Sequence, residues 1–228
     1  MRFLVNNAWL IVFLIVPCGL FAGWSPKEIP PCVFCDDDSD CFKYPSGPII
    51  EQVPVLIYLS CNGAKPSDLD SISFVHDKLG WVIATCGKTR NHRSSQLNEK
   101  DIIHIAEKLL VNPKVDPTRI ILFGFSGQGA QALGVALKYP RLFAGAISDC
   151  AHLGAVTRFD PKASNKQLFY IITREFDWNR DYNEIFHTAC IENGIGDTLL
   201  VEPGKHEIGP TEEIFSACRW FERRWRSE

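Results

Sequence analysis

The sequence predicts an α/β fold, a mostly parallel sheet of about six or more strands with helices on both faces. Two patterns point there. From Val53 onward, short β-rich runs alternate with longer amphipathic stretches, as in successive βα units. Most of those runs are apolar without polar alternation, as expected of strands covered on both sides. Composition agrees: the 228 residues are 46% hydrophobic and 22% charged, enough apolar surface for one sizeable core. That argues against a disordered chain, a collagen, a coiled coil or a multi-span membrane protein. The net charge of −3 supplies no basic field, so no nucleic-acid partner is expected.

The chain opens on MRFLVNN, with Arg2 and no acid, followed by an uninterrupted apolar run at 8–16 and then Pro17, Cys18 and Gly19. A charged start, a short apolar stretch and small residues make a secretory signal peptide, residues 1–22, cut after Ala22. Asn6, Asn7 and Pro17 break any window of the about 20 apolar residues a spanning helix needs, so no membrane span is expected after cleavage. A lipid attached at Cys18 and an uncleaved anchor are the alternatives. Export means a periplasmic, secreted or cell-surface protein. Nine cysteines less Cys18 leave eight, an even number that reads as a disulfide framework in an exported chain. Residues 23–48, rich in Cys, Pro and Asp, read as a disulfide-stapled extension ahead of a domain at 49–228. Cys32, Cys35 and Cys41 could instead hold a metal, but no second Cys-x-x-Cys or His pair accompanies them, and no metal is expected. Asp36, Asp38 and Asp40 have a calcium-loop spacing, but Cys41 and Gly47 stand where Gly and Glu belong, so a solvated acidic turn is expected.

Strands are predicted at 53–59, 81–85, 119–123, 144–148, 167–173 and 198–201. A helix at 98–111 follows from Ile102, Ile105, Ala106 and Leu109 at i, i+3, i+4 and i+7, with Asn98 as its N-cap. The stretch 127–138 is apolar nearly all round, suits a buried helix, and is stopped by Pro140. A last helix starts at Thr211 with Glu212 and Glu213 in its first turn, and its seam is Ile214, Cys218, Phe221 and Trp225.

One segment carries chemistry: Ile120-Ile-Leu-Phe-Gly124-Phe-Ser126-Gly127-Gln128-Gly129-Ala130. A buried strand turning sharply into a small-residue helix lifts the Ser126 hydroxyl above the sheet and aims the Gly127 N–H at a developing oxyanion. Here the sequence resembles the α/β-hydrolase superfamily, in particular small secreted esterases such as feruloyl esterases and polyhydroxybutyrate-depolymerase-like proteins. The stretch VDPTRIILFGFSGQGAQALGVALKYPRLFAGAIS carries the resemblance most strongly, and the strand order agrees from about residue 50 onward. The chain departs from Gly-x-Ser-x-Gly, because Gln128 occupies the fifth position between Gly127 and Gly129. A long side chain there crowds the strand–helix contact unless it points outward.

The resemblance implies the chain order Ser, acid, His. His206, between the last strand and the last helix, is at the family's base position, with His152 the runner-up; His76, His104 and His187 lie in predicted helices and His92 in a polar loop before the serine. Asp177, in the loop after the penultimate strand, matches the acid, with Glu175, Asp181 and Asp149 competing. The second oxyanion donor belongs to the loop after the first core strand, as the backbone N–H of Cys61 or Asn62, although relatives usually have His-Gly there. Cys61 could otherwise pair with Cys86. Phe159, Trp178, Arg180 and His92 are candidates for a cleft rim. The reading is an exported serine hydrolase of small or polymeric carboxylic esters, needing no cofactor. A serine peptidase of the same fold and an inactive hydrolase-fold binding protein are the alternatives.

Overall fold

The computed structural model describes residues 33–46, 50–157 and 159–227. The signal segment, its cleavage site, Cys18 and Cys32 lie outside the described residues. Eight strands form one sheet in the order β1-β2-β4-β3-β5-β6-β7-β8. Its parallel part consists of β3 (Val53–Leu59), β4 (Val82–Thr85), β5 (Val115–Phe125), β6 (Gly145–Asp149), β7 (Leu168–Arg174) and β8 (Gly196–Glu202).

Two short strands were not foreseen: β1 (Phe34–Cys35) and β2 (Cys41–Lys43), in the extension, pair antiparallel with each other and then with β4. They are too short to display a period, and a Cys35–Cys41 disulfide clips their turn. Those two cysteines are therefore not thiolate metal ligands. The acidic turn between them is not simply solvated either. Asp36, Asp38 and Asp40 converge on the Lys108 ammonium at 2.6, 2.8 and 2.9 Å.

Strand β3 alternates between two cores. Val55, Ile57 and Leu59 face one, and Leu56 faces the other. The first core is closed by α3 (Ser95–Leu110), α4 (Ser126–Lys138) and α6 (Arg180–Glu192), through residues such as Ile102, Leu133 and Phe186. The second is closed by α1 (Asp68–Ser71), α2 (Ser73–Leu79) and α7 (Thr211–Trp225), through Leu69, Val75, Ile214 and Phe221. Apolar side chains at every position of a strand, rather than every second one, follow from this double cover. A short helix, α5 (Pro161–Ser164), precedes β7 and is capped by the Asp160 carboxylate. No helix among the described residues is long and apolar enough to cross a membrane.

Helix α3 begins three residues earlier than its apolar stripe indicated, and its N-cap is Ser94, not Asn98. Asn98 is buried and donates from Nδ2 to the Arg90 carbonyl at 3.0 Å while accepting from the Arg93 guanidinium at 3.0 Å. Its polar atoms hold the 90–93 loop rather than the helix end.

The even cysteine count does not translate into a framework of bridges. Among the described residues Cys61, Cys86, Cys150, Cys190 and Cys218 are free thiols, all buried except the half-buried Cys61. Cys61 and Cys86 do not pair: the Cys61 Sγ lies 3.2 Å from the Phe125 carbonyl, and Cys86 sits in the first core. Buried thiols here pack as small apolar groups.

Winding reverses at β3, since the chain goes from β3 to β4 on one side and to β5 on the other. In open α/β sheets such a switch point opens a crevice beyond the carboxyl ends of the strands.

Candidate active site

Ser126 stands at that crevice. It follows β5 directly and begins α4 with φ at +53°, a left-handed conformation that costs an ordinary residue about 1–3 kcal/mol. The strain is sustained by close packing around the turn. A Cβ on Gly124 would come within 2.3 Å of the Gln128 carbonyl oxygen, and one on Gly129 within 2.8 Å of the Gly124 carbonyl oxygen. The tight contacts with backbone thus fall on 124 and 129, while a Cβ on Gly127 would come within 2.6 Å of the Asn91 Oδ1. Gln128 is buried but turns away from that contact, and its Nε2 donates to the Asn91 Oδ1 at 3.3 Å.

His206 follows β8 in a loop that reaches back over the strand ends. Its Nε2 lies 2.8 Å from the Ser126 Oγ and its Nδ1 2.7 Å from the Asp177 Oδ1. The polarity of this chain is set by the carboxylate: Nδ1–H donates to Asp177, leaving Nε2 to accept from the serine hydroxyl. Asp177 is pinned on every side. Its Oδ1 also accepts from the Asn179 N–H at 3.0 Å, and its Oδ2 accepts from the Thr173 hydroxyl at 3.0 Å. Burial pushes its pKa up, but the hydrogen bonds from Asn179, His206 and Thr173 outweigh burial and hold it below the ordinary carboxylate range. Trp178 stacks on the imidazole at a centroid distance of 3.8 Å, and Phe125 lies tilted against it at 4.9 Å. An imidazolium formed there meets the negative face of the indole.

The loop that carries His206 is anchored from below. The Gly209 N–H donates to the Asp149 Oδ2 at 2.9 Å, and Arg174 bridges to Glu213 at 2.8 Å and lies 3.6 Å from Asp149. Asp149 therefore braces the histidine loop and does not orient the imidazole. Glu175 and Asp181 are exposed. His152 makes no bond to the serine; its Nδ1 accepts from the Gly154 N–H at 2.9 Å. His76 and His187 are engaged with the Trp81 carbonyl and Asp197, and His104 lies 3.4 Å from Asp38.

The Gly127 N–H, in the first turn of α4, has no intrahelical acceptor. The loop after β3 approaches the same turn: the Cys61 Sγ touches the Phe125 carbonyl, and the Cys61 carbonyl accepts from the Asn91 N–H at 2.9 Å. Asn62 is exposed, and its N–H has only a 3.4 Å contact to the Ser60 hydroxyl. Burial raises the Cys61 thiol above its ordinary pKa, so it stays neutral. Asn91, Thr173 and Asn179 have no sequence signal, since a small polar residue reads alike whichever partner it meets.

Among the described residues two groups have the donor types of a metal site. The first, Asp36, Asp38 and Asp40, is filled by Lys108. In the second, Cys150, Asp177 and His206 bring donor atoms within 4.8 Å, but burial and nearby carboxylates push the Cys150 thiol far up, away from the thiolate a metal takes. These donors fit a hydrogen-bonded relay better than a coordination sphere.

A parallel sheet with its switch point at a strained serine, and a Ser–His–Asp chain across the strand ends, is the architecture of the α/β-hydrolase fold. No protein-family model matches the sequence, and a search of curated proteins finds no match. Solved structures do share the fold. A carboxylesterase from Bacillus cereus superposes with a TM-score of 0.63 at 14% identity, over 81% of this chain and 93% of that one. An esterase from Pyrobaculum calidifontis gives 0.62 at 14%, over 80% and 78%. A puromycin-hydrolyzing peptidase from Mycobacterium tuberculosis gives 0.59 at 15%, over 78% of this chain and 35% of that one. This chain spans about a third of the length of such peptidases and most of the length of the two esterases. At these identities the likeness establishes the fold alone; neither feruloyl esterases nor polyhydroxybutyrate depolymerases are singled out.

Proposed function

We propose that the protein is an exported serine hydrolase of carboxylic esters, with Ser126 as nucleophile, His206 as general base and acid, and Asp177 as the imidazole's orienting carboxylate. The observation that carries this reading is the unbroken path from the Ser126 hydroxyl through His206 to Asp177, at 2.8 and 2.7 Å. As the serine oxygen bonds to the acyl carbon, its proton passes to Nε2, and the carbonyl π electrons move onto oxygen. The Gly127 N–H, together with that of Cys61 or Asn62, meets this oxyanion. Collapse expels the alcohol, which takes the proton from Nε2, and leaves an acyl-serine. Water, deprotonated by the same nitrogen, then releases the acid and restores the serine. This route uses only the chain's own residues.

Esterases and peptidases both occur among the solved structures that share the fold, so the ester reading is set against a peptidase by substrate. The leader-like segment at 1–22 supports export, with 23–48 as an extension and 49–228 as the catalytic domain. A fluorophosphonate probe tests the nucleophile. Folded protein is expected to be labelled, and Ser126→Ala is expected to abolish labelling; an unlabelled folded protein would overturn the enzyme reading. Comparing short-chain acyl esters with aminoacyl anilides then separates esterase from peptidase.

A further inference from the structure

An open cavity of about 370 Å³ lies against Ser126, a size suited to a small acyl or alcohol group. Besides Ser126 and Gly127, its walls include Arg90, His92, His152 and Gln128, and among the described residues no aspartate or glutamate lines it. The other cation in the wall, Arg93, is neutralised by Asp101 at 2.6 Å. Arg90 is different. Asn98 grips its backbone, accepting from the N–H and donating to the carbonyl, yet its guanidinium has no hydrogen bond or ion pair among the described residues. An exposed, uncompensated guanidinium, carried on a backbone that Asn98 fixes at the rim of a cavity that begins at the reactive serine, is placed to receive a carboxylate, which its fork matches in shape.

Gln128 adds a second, independent sign. It is 2% exposed, and its Oε1 is buried without a partner. A long amide at a position where the fold's usual motif has glycine thus carries an unpartnered oxygen just beneath the cavity wall. Turning the Gln128 and Asn91 carboxamides over together keeps their mutual bond, gives up the Asn91 contact to Cys61, and puts a Gln128 N–H where the unpartnered oxygen was.

The geometry points to esters that bear a free carboxylate, bound with that carboxylate on Arg90 while the ester carbonyl lies at Ser126. This rests on the ester-hydrolase reading above and narrows its substrate class. The carboxylate can belong to the acyl or to the alcohol half.

Two matched pairs of substrates decide, followed by pH-stat at low ionic strength: monomethyl succinate against methyl butyrate, and 4-carboxyphenyl acetate against phenyl acetate. One anionic ester is expected to exceed its neutral partner in kcat/KM by about fivefold, through KM, and added salt should shrink the advantage. The pair that responds identifies the half carrying the charge. In Arg90→Gln the ratio should fall towards one, and Arg90→Lys should keep part of it. Arg141→Gln, which removes the same charge near the start of β6 at the other end of the strands, should leave the ratio where it is. No preference in either pair, or a preference that survives Arg90→Gln, overturns the proposal. If no ester is hydrolysed at all, the ester-hydrolase reading fails, and the anion site is judged by binding. Succinate and 4-hydroxybenzoate should shift backbone amide resonances of the 90–93 loop in the native protein but not in Arg90→Gln; absent shifts overturn the site as well.

Discussion

Asp177→Asn is the most informative single substitution, because the surroundings of Asp177 dictate how an amide would sit. Two backbone-fixed or ring donors, the His206 Nδ1–H and the Asn179 N–H, converge on Oδ1, while Oδ2 meets the Thr173 hydroxyl, which can turn to accept, and the Cys150 thiol, which also bonds the carboxylate, can accept through sulfur. Asparagine should therefore place its oxygen at the Oδ1 position and its NH₂ towards Thr173. The hydrogen bond to His206 and the imidazole tautomer survive, and only the negative charge is lost. A carboxylate and an imidazolium about 4 Å apart attract by about 4 kcal/mol at an effective dielectric of 20, of which a neutral oxygen keeps about 1 kcal/mol. The remaining ~3 kcal/mol corresponds to a fall in kcat of roughly a hundredfold. An amide facing the other way would impose the wrong tautomer, and the loss would approach about 10⁴-fold. The assay is kcat for 4-nitrophenyl acetate on protein whose melting temperature is unchanged. Activity within about threefold of the native protein would refute the role given to the charge, and a loss near 10⁴-fold would refute the orientation argument.

The packing of the Ser126 turn predicts opposite outcomes at adjacent positions. Gly129→Ala forces a Cβ to 2.8 Å from a carbonyl oxygen and 3.0 Å from the Ala151 Cβ, and should cost about 1–3 kcal/mol in urea unfolding. Gln128→Ala removes a long hydrogen bond together with an orphaned acceptor and should stay within about 1 kcal/mol of native; the reverse order would show that the turn packs differently. Lys108→Met should cost about 2 kcal/mol at neutral pH, between the worth of exposed and buried ion pairs, since it takes the cation from Asp36 and Asp40 and leaves Asp38 with Lys88. The pH dependence has a definite sign. Hydrogen bonds from Lys108 and then Lys88 hold Asp38 below its ordinary range, so its contribution is present above about pH 4 and is lost as pH falls through the lowered value. Burial draws the Lys108 pKa down, but its three carboxylate partners raise it overall, so its contribution is lost only in strong alkali. The stability gap between native and Lys108→Met should therefore close in acid; a gap unchanged down to about pH 2 would refute the ion-pair account.

The parallel strands and their covering helices could be read from the chain because burial on both faces leaves a direct trace, a continuous apolar run. The serine turn could be read too, because a sharp strand-to-helix junction demands small residues at Gly124, Gly127 and Gly129 in consecutive sequence. Legibility fell away wherever a role depends on a distant partner. Asn98 looked like a helix cap and is a brace for the 90–93 loop. Cys61 and Cys86 looked like a bridge and are separate thiols. Three acidic residues looked like a wet turn, and their partner, Lys108, comes from a helix far along the chain.

The amino-acid order by itself determined the fold class, the serine turn, and a short list of bases and acids, since each is a local pattern of polarity and backbone freedom. Which carboxylate faces the imidazole was decided only in three dimensions. Asp149, Glu175, Asp177 and Asp181 are chemically alike and all lie near strand ends, but only at Asp177 do Thr173, Asn179 and His206 converge to hold the charge in place. Thr173 and Asn179 are close to Asp177 in the chain, but His206 lies 29 residues on, and which carboxylate its loop meets is set by the packing of β7 against β8, which leaves no local imprint on the sequence.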